Sequence, residues 1–300
     1  MHVAVIGHGR DGHARSLIGR LEAAGARASF VQLSACLFST GHPSGLLMPE
    51  LGPDLPKGAI VRGIAAGSFE AVTRRLGVLH ALRELGVLVW NDARAIERCV
   101  DKSMTSFLTA RAGLPTPDSW AIEGRAEALR IARRETIGGP LVLKPLFGSQ
   151  GRGLRLIRDP CELPEEDAVA GVYYLQRFVG GAGPDHSDLR ALVSRGRVVA
   201  AMRRRATHWI TNVKQGGRPE AVCLGAELAG LAIRAAACVG ADFAGVDIAI
   251  GKDGLPYILE VNSMPAWSGL QSVVEVDIAG AIAGDFLAAM RESAPSSLTG

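Results

Sequence analysis

With 300 residues, 48% hydrophobic and 21% charged, the chain has apolar material for two or three compact units with a sizeable core. A formal net charge of +3 is too slight to call for nucleic acid, and no apolar run approaches the ~18 residues that cross a bilayer. Cys36, Cys99, Cys161, Cys223 and Cys238 are odd in number and contain no C-x-x-C pair, which argues against a disulfide framework and a thiolate zinc site.

The start, MHVAVIG, lacks the parts of a signal peptide, so a cytoplasmic protein that engages no membrane is expected. VAVI at 3–6, a helical pattern over 13–24 and ASFVQL at 28–33 give a β-α-β opening of Rossmann-like type. Gly7, Gly9 and Gly12 satisfy G-x-G-x-x-G there, which raises an NAD-dependent oxidoreductase as a competing function. The second strand, however, ends Phe30-Val31-Gln32-Leu33-Ser34 without the acid that would hold the ribose, and this disfavours the dinucleotide reading. Residues 42–58, rich in Pro and Gly, read as a surface loop; a helix over 68–85 and the strand GVLVW follow.

Asp101 stands at an N-cap position before a helix carrying Met104, Phe107, Leu108 and Ala112 and ending near Gly113, and a further helix is expected over 125–136. LVLKPLFGSQGRGLRLI, 141–157, has strand-like flanks around Gly148, Gly151 and Gly153 and no Walker pattern. It reads as a hairpin with a bare tip, either an ordinary loop or one whose backbone N–H groups fold over an anion. YYLQRFV at 173–179 leads into glycines at 180, 181 and 183 that suggest a hinge or loop. Arg195, Arg197 and Arg203 to Arg205 concentrate positive charge, and SAPSSLTG closes the chain as a frayed tail.

The most informative stretch is AGVDIAIGKDGLPYILEVN, 244–262. A two-residue turn at Asp253-Gly254 sets Asp247 opposite Glu260. Alternation then sends Val246, Ile248, Ile250, Tyr257, Leu259 and Val261 to a core face, leaving Asp247, Glu260 and Asn262 on the other. Opposed carboxylates repel. Either a cation or an arginine can relieve them, and two carboxylates with an amide oxygen favour Mg²⁺, which draws phosphates with it. Replacing either acid is expected to remove a metal ligand without touching the core.

Together, DKSMTSFLTARAGLPTP, LVLKPLFGSQGRG, LQRFV, SDLRALV, HWITNVKQGG and GVDIAIGKDGLPYILEVNSMPAWSGLQ resemble, in order and spacing, the RimK-like amino-acid ligases of the ATP-grasp superfamily. The resemblance covers roughly residues 100–285 and implies an α/β and α+β architecture. A Rossmann-like domain over 1–98 would be followed by a two-part ATP-grasp fold, with a central subdomain over 99–178 bearing the glycine hairpin as a lid. A C-terminal subdomain with the metal site would span 179–292, and a flexible tail 293–300.

For ATP, the resemblance implies Lys102, Lys144, Gly148, Ser149, Gln150, Gly151 and Gly153 at the phosphates, Gln176, Phe178 and Val179 at the adenine and hinge, and Asp188 at the ribose. Asp247, Glu260 and Asn262 would carry two Mg²⁺ ions, with Mn²⁺ as an alternative. Arg204, Asn212 and Arg190 would act at the reacting centre, and Arg62, Gly216 and Gly217 around the substrates. The implied reaction is ATP-dependent amide formation through an acyl phosphate, in a dimer or tetramer. HWITN resembles the branch acting on an amino-group carrier protein, and NSMPAWSGLQ the members that modify cofactors. Glutamate added to a cofactor-like small molecule is the expectation, with a protein tail as the alternative acceptor. A nucleotide-binding regulator without ligase activity is the competing class, disfavoured by the intact set of acids and lysines.

Overall fold

A computed structural model describes residues 1–148, 150–180 and 186–293. The opening segment alternates strand and helix. β1 (His2–Ile6) leads into α1 (Gly12–Ala23), whose first turn is capped by Asp11 Oδ1 accepting from the Ala14 N–H at 2.8 Å. β2 (Arg27–Val31) returns parallel to β1; a ribbon of β3 (Leu37–Phe38) and β4 (Leu46–Leu47) precedes β5 (Gly58–Val61), α2 (Phe69–Glu84), β6 (Leu88–Trp90) and α3 (Ala93–Val100). The resulting parallel sheet has the order β2-β1-β5-β6. Val3, Val5 and Ile60 face α1, whereas Ala4, Ile6, Ala59 and Val61 face α2 and α3. Burial on both faces explains why these strands read as unbroken apolar runs.

The Pro/Gly-rich stretch 42–58 departs from a plain surface loop. Leu46, Met48 and Leu51 are buried in the core beneath α2, so the segment closes one side of the sheet. Its turns are set by Pro and Gly, but its placement is set by these three apolar side chains.

In the middle segment Asp101 caps α4 (Lys102–Arg111) by accepting from the Ser103 and Met104 N–H groups. β7 (Ser119–Glu123), α5 (Arg125–Glu135), β8 (Leu141–Lys144), β9 (Arg155–Ile157) and β10 (Val172–Arg177) follow. The strands form an antiparallel sheet, β7-β10-β8-β9, covered by α5 through Ala128, Ile131 and Ala132. The expected hairpin over 141–157 is therefore the β8–β9 pair.

The last segment comprises β11 (His186–Ser194), β12 (Arg197–Ala206), β13 (Arg218–Ala221), α6 (Ala226–Val239), β14 (Phe243–Ile250), β15 (Pro256–Asn262), α7 (Ser268–Gln271) and α8 (Ile278–Ser293). Its sheet runs β13-β12-β11-β14-β15. One face is core against α6, with Leu189, Ala191, Val246, Ile248, Ile258 and Val261 buried. The opposite face divides. Leu192, Met202 and Phe243 join the core of the parallel sheet, while Asp188, Arg204, Asp247 and Glu260 line a cleft toward the middle sheet. α8 returns to the start of the chain and packs Ile282, Phe286 and Met290 with Val3, Val5 and Ile60. A Cβ on Gly58 would lie 2.7 Å from Phe286 and 2.8 Å from Met290, so glycine is what lets helix and strand meet.

Asn91, fully buried at the end of β6, joins the parallel sheet to the last one. Its amide donates to the Phe243 and Ser263 carbonyls at 2.7 and 2.6 Å, and its Oδ1 accepts from the Asp242 and Phe243 N–H groups at 2.6 and 3.2 Å. Asn91→Ala would strand several buried backbone groups at once; we expect a loss of about 3 kcal/mol or more, read as a lower urea midpoint.

Candidate active site

The facing acids arise from a different hairpin than the sequence suggests. The β14–β15 turn spans three residues, Lys252-Asp253-Gly254, with the Gly251 N–H donating to the Leu255 carbonyl at 2.8 Å and Gly254 at φ +78°. That turn alone would place Ile258 opposite Ile248 and misalign the acids. A β-bulge between Asp247 and Ile248 restores the pairing, and Asp247 does lie opposite Glu260 and Gly245 opposite Asn262. The bulge also exchanges faces. Ile258, not Tyr257 or Leu259, is the core residue; Leu259 lines the cleft beside Glu260, and Ile250 is 40% exposed.

The repulsion expected between the opposed acids is answered in part by arginine. Arg190, directly opposite Asp247 on β11, grips it with Nε to Oδ1 at 2.6 Å and Nη2 to Oδ2 at 2.7 Å. Arg204, only 2% exposed, reaches Asp247 Oδ2 at 2.9 Å and forks onto Asp188, with Nε to Oδ1 at 2.7 Å and Nη2 to Oδ2. Burial pushes the Asp247 carboxyl up, but the two arginine charges outweigh it and hold it at about 2. Burial likewise pulls Arg204 down, and Asp247 and Asp188 more than reverse this. Asp247→Ala would therefore not spare the fold as the sequence suggests, because it strands two arginines in the interior.

Among the described residues the Glu260 side chain makes no hydrogen bond or ion pair, and it borders the cleft. Asn262 accepts from the Met264 N–H at 2.9 Å through Oδ1. Asp247 and Glu260 border the cleft and offer the hard oxygens that suit Mg²⁺, but both Asp247 oxygens already accept from arginine and Asn262 is not among the residues that line the cleft.

The middle sheet faces this row with cations. Lys144, at the end of β8, donates to Gln176 Oε1 at 2.6 Å; the Gln176 amide is fixed in turn by Ser119 and Tyr174. Desolvation lowers the Lys144 pKa to about 8, against the pull of Glu260, with Lys102 adding to the lowering. Lys102 donates to the Leu146 and Gly148 carbonyls at 3.3 and 2.9 Å, tying α4 to the glycine loop. A Cβ on Gly151 would come within 2.6 Å of Asn212 Oδ1, so the loop closes against 210–212 only as glycine.

Lys102, Lys144, Gly148, Gln150, Gly151, Gln176, Phe178, Val179, Asp188, Arg204, Asn212, Asp247 and Glu260 share one cleft. Ser149 lies outside the described residues, as do Gly181, Gly183 and the tail from residue 294. Gly153 packs toward Pro145 behind the loop, and Arg190 reaches the site through Asp247. Gly216 takes φ +97° and a Cβ on Gly217 would lie 1.9 Å from the Thr211 carbonyl, so both shape the turn behind Asn212. Arg62 lies elsewhere, at the seam between the parallel sheet and the loop after β15. The sequence reading passed over Trp209, whose ring meets Phe178 edge-on at 6.1 Å in the cleft, although HWITN contains it; it also missed Leu259, hidden by the bulge. At the opening glycines, Gly12 has open space where a Cβ would be, unlike the close helix–strand packing that the third glycine of a dinucleotide fingerprint serves.

A family model described as RimK-like ATP-grasp domain matches residues 99–286. The chain is 35% identical over 229 residues to the tetrahydromethanopterin:alpha-L-glutamate ligase of Methanococcus maripaludis, covering 74% of this chain and 76% of that one. It is 32% identical over 270 residues to the enzyme of the same name from Methanosarcina acetivorans, covering 79% of each. Its fold is similar to the ATP-grasp ligase PsnB complexed with minimal precursor, Mg and ADP, with TM-score 0.75, 24% identity, and 96% and 97% of the two chains covered. The chain belongs to the RimK-like ATP-grasp family, and its reaction class is ATP-dependent carbon–nitrogen ligation.

Lys144 gives the site a pH signature. A phosphate set against it would favour its charged form, so nucleotide binding there would take up a proton wherever the free protein has lost it, above about pH 8. We expect ADP affinity to be level below that pH and to fall by up to about tenfold per unit above it. Calorimetry in two buffers of different ionisation heat should detect the proton, and Lys144→Arg should flatten the profile.

Proposed function

We propose that this protein activates a substrate carboxylate with ATP and joins it to the amine of L-glutamate, on a cofactor-like small molecule. The observation that carries this reading is the convergence of Lys144 and the glycine loop, from one sheet, on the Asp247–Glu260 row of another. The names of the methanogen relatives support glutamate and a small acceptor.

In this reading Lys102, Lys144 and the amides of the glycine loop hold the phosphates, and Phe178, Val179 and Trp209 surround the base. Glu260, with Asp247 beside it, would hold Mg²⁺, which when bound neutralises charge on the phosphoryl group being transferred. A carboxylate oxygen attacks the γ-phosphorus and ADP leaves. The amine nitrogen then attacks the acyl carbon, and phosphate departs with that same oxygen. Charge that grows on the acyl oxygen meets Arg204, held in place beforehand by Asp188 and Asp247, and the Asn212 amide on the cleft wall. The loops at 150–153 and 209–212 close over the centre and keep water from the acyl phosphate.

Two outcomes are expected. Oxygen-18 placed in the acceptor carboxylate should appear in inorganic phosphate in step with amide formation; product without label in phosphate would overturn the acyl phosphate. Glu260→Gln should lower kcat by at least about 100-fold while leaving the melting temperature near wild type, because Glu260 holds no partner whose loss would weaken the fold.

A further inference from the structure

Lys144 is held by a chain of neutral hydrogen bonds whose direction is fixed one step at a time. Ser119 on β7 lies directly opposite Gln176 on β10, and Tyr174, two residues back on β10, lies directly opposite Lys144 on β8. Alternation sends Tyr173 and Leu175 into the core under α5 and leaves Tyr174 and Gln176 on the other face, toward the cleft. α4 brings Ser106, one turn after Lys102, to the same face.

The direction starts at a carbonyl. Ser119 Oγ donates its only proton to the Pro117 carbonyl at 2.9 Å, so toward Gln176 it can only accept. The Gln176 amide nitrogen must therefore face Ser119, at 3.1 Å, and its second proton goes to Tyr174 Oη at 3.2 Å. Having accepted there, Tyr174 turns its own proton to Ser106 Oγ at 2.6 Å. Gln176 Oε1 is left pointing the other way and accepts from Lys144 Nζ at 2.6 Å. A flipped amide would turn two N–H groups toward the ammonium and an oxygen toward a serine with no proton to give. Gln176 and Tyr174 are each 1% exposed, so water does not replace a lost partner cheaply. The surrounding charges do not aim Lys144 in this way. Burial lowers its pKa first; Glu260 and Asp247 across the cleft pull the other way, and Lys102 on α4 adds to the lowering.

We propose that Ser119 and Tyr174 are positioning residues for the ATP-dependent reaction: they lock the Gln176 amide with its oxygen toward Lys144, which aims the ammonium at the phosphates without neutralising it. This rests on the reading of Lys144 as a phosphate lysine. A carboxylate at position 176 would compete with the phosphates for the same charge, whereas an amide orients that charge and leaves it open to pair. The Gln176 side chain is thus committed before a nucleotide arrives and does not read the base.

The chain has five lysines, Lys57, Lys102, Lys144, Lys214 and Lys252, few enough for the carbon-13 signal of Lys144 Cε to be assigned by its loss in Lys144→Arg. In nucleotide-free protein that signal should titrate at about pH 8. An acceptor favours the charged form, so Ser119→Ala and Tyr174→Phe should each lower the midpoint, and together lower it by about one pH unit. Ser119→Thr, which keeps the hydroxyl, should titrate as wild type, and Gln176→Glu should titrate higher. Below pH 8 the double variant should bind ADP about 3- to 10-fold more weakly. An unmoved midpoint in folded Ser119→Ala and Tyr174→Phe, or one lowered equally in Ser119→Thr, would overturn the proposal. So would Gln176→Met if it left the midpoint in place and abolished the preference for ADP over inosine diphosphate, since Gln176 would then belong to the base. Midpoints that move as expected while Lys144→Met binds ADP as tightly as wild type uphold the lock and remove only the phosphate reading.

Discussion

The site is organised around one buried cation. Arg204 sits on β12 with almost no contact with water, and the two carboxylates it binds come from β11 and β14. Arg190 completes a chain of four charges, Asp188–Arg204–Asp247–Arg190, across three neighbouring strands. Burying so much charge is costly, and removing one member of such a set typically costs about 3 to 5 kcal/mol because its partner is left alone. What the arrangement supplies is fixed direction: each carboxylate is held by both oxygens, so Asp247 cannot swing away from Glu260.

The cations differ in what answers them. Arg204 and Arg190 are satisfied within the protein. Lys144 is held by a neutral amide, Gln176, so it is oriented without being neutralised, and its proton is loosely held. Arg62 has one carbonyl and two aromatic rings. Charge left over in a folded interior marks the places where a ligand's charge completes the electrostatics, and of these two groups Lys144 is the one that lines the cleft with the acid row.

Much of this was legible in the sequence, for identifiable reasons. The alternating runs around Asp253-Gly254 located the hairpin, and the apolar runs at 3–6 and 58–61 located the buried parallel strands. The Asp247–Glu260 pairing came out right although the turn did not, because a longer turn and a bulge offset each other; a bulge leaves no mark in hydrophobic alternation beyond one out-of-phase residue, here Leu259. Leu46, Met48 and Leu51 were lost among prolines and glycines that define turns but say nothing of depth. Asn91 gave no signal, since nothing local distinguishes an asparagine that binds backbone 150 residues away from one that faces water. That Asp188 and Asp247 would be taken by Arg204 could not be read from the local pattern, as it depends on the register of three strands.

The return of α8 to the first sheet has a consequence for biosynthesis. The Val3, Val5 and Ile60 face is complete as a sheet early, yet Ile282, Phe286 and Met290, which cover it, emerge more than 200 residues later. At about 5 to 20 residues per second, the part of that face left open by α1 waits roughly 10 to 40 s for its cover. During translation the nascent chain therefore presents, beside α1, an apolar strip that its own last helix later masks. A ribosome that stalls or terminates before residue 278 would release a client for chaperones instead of a folded protein.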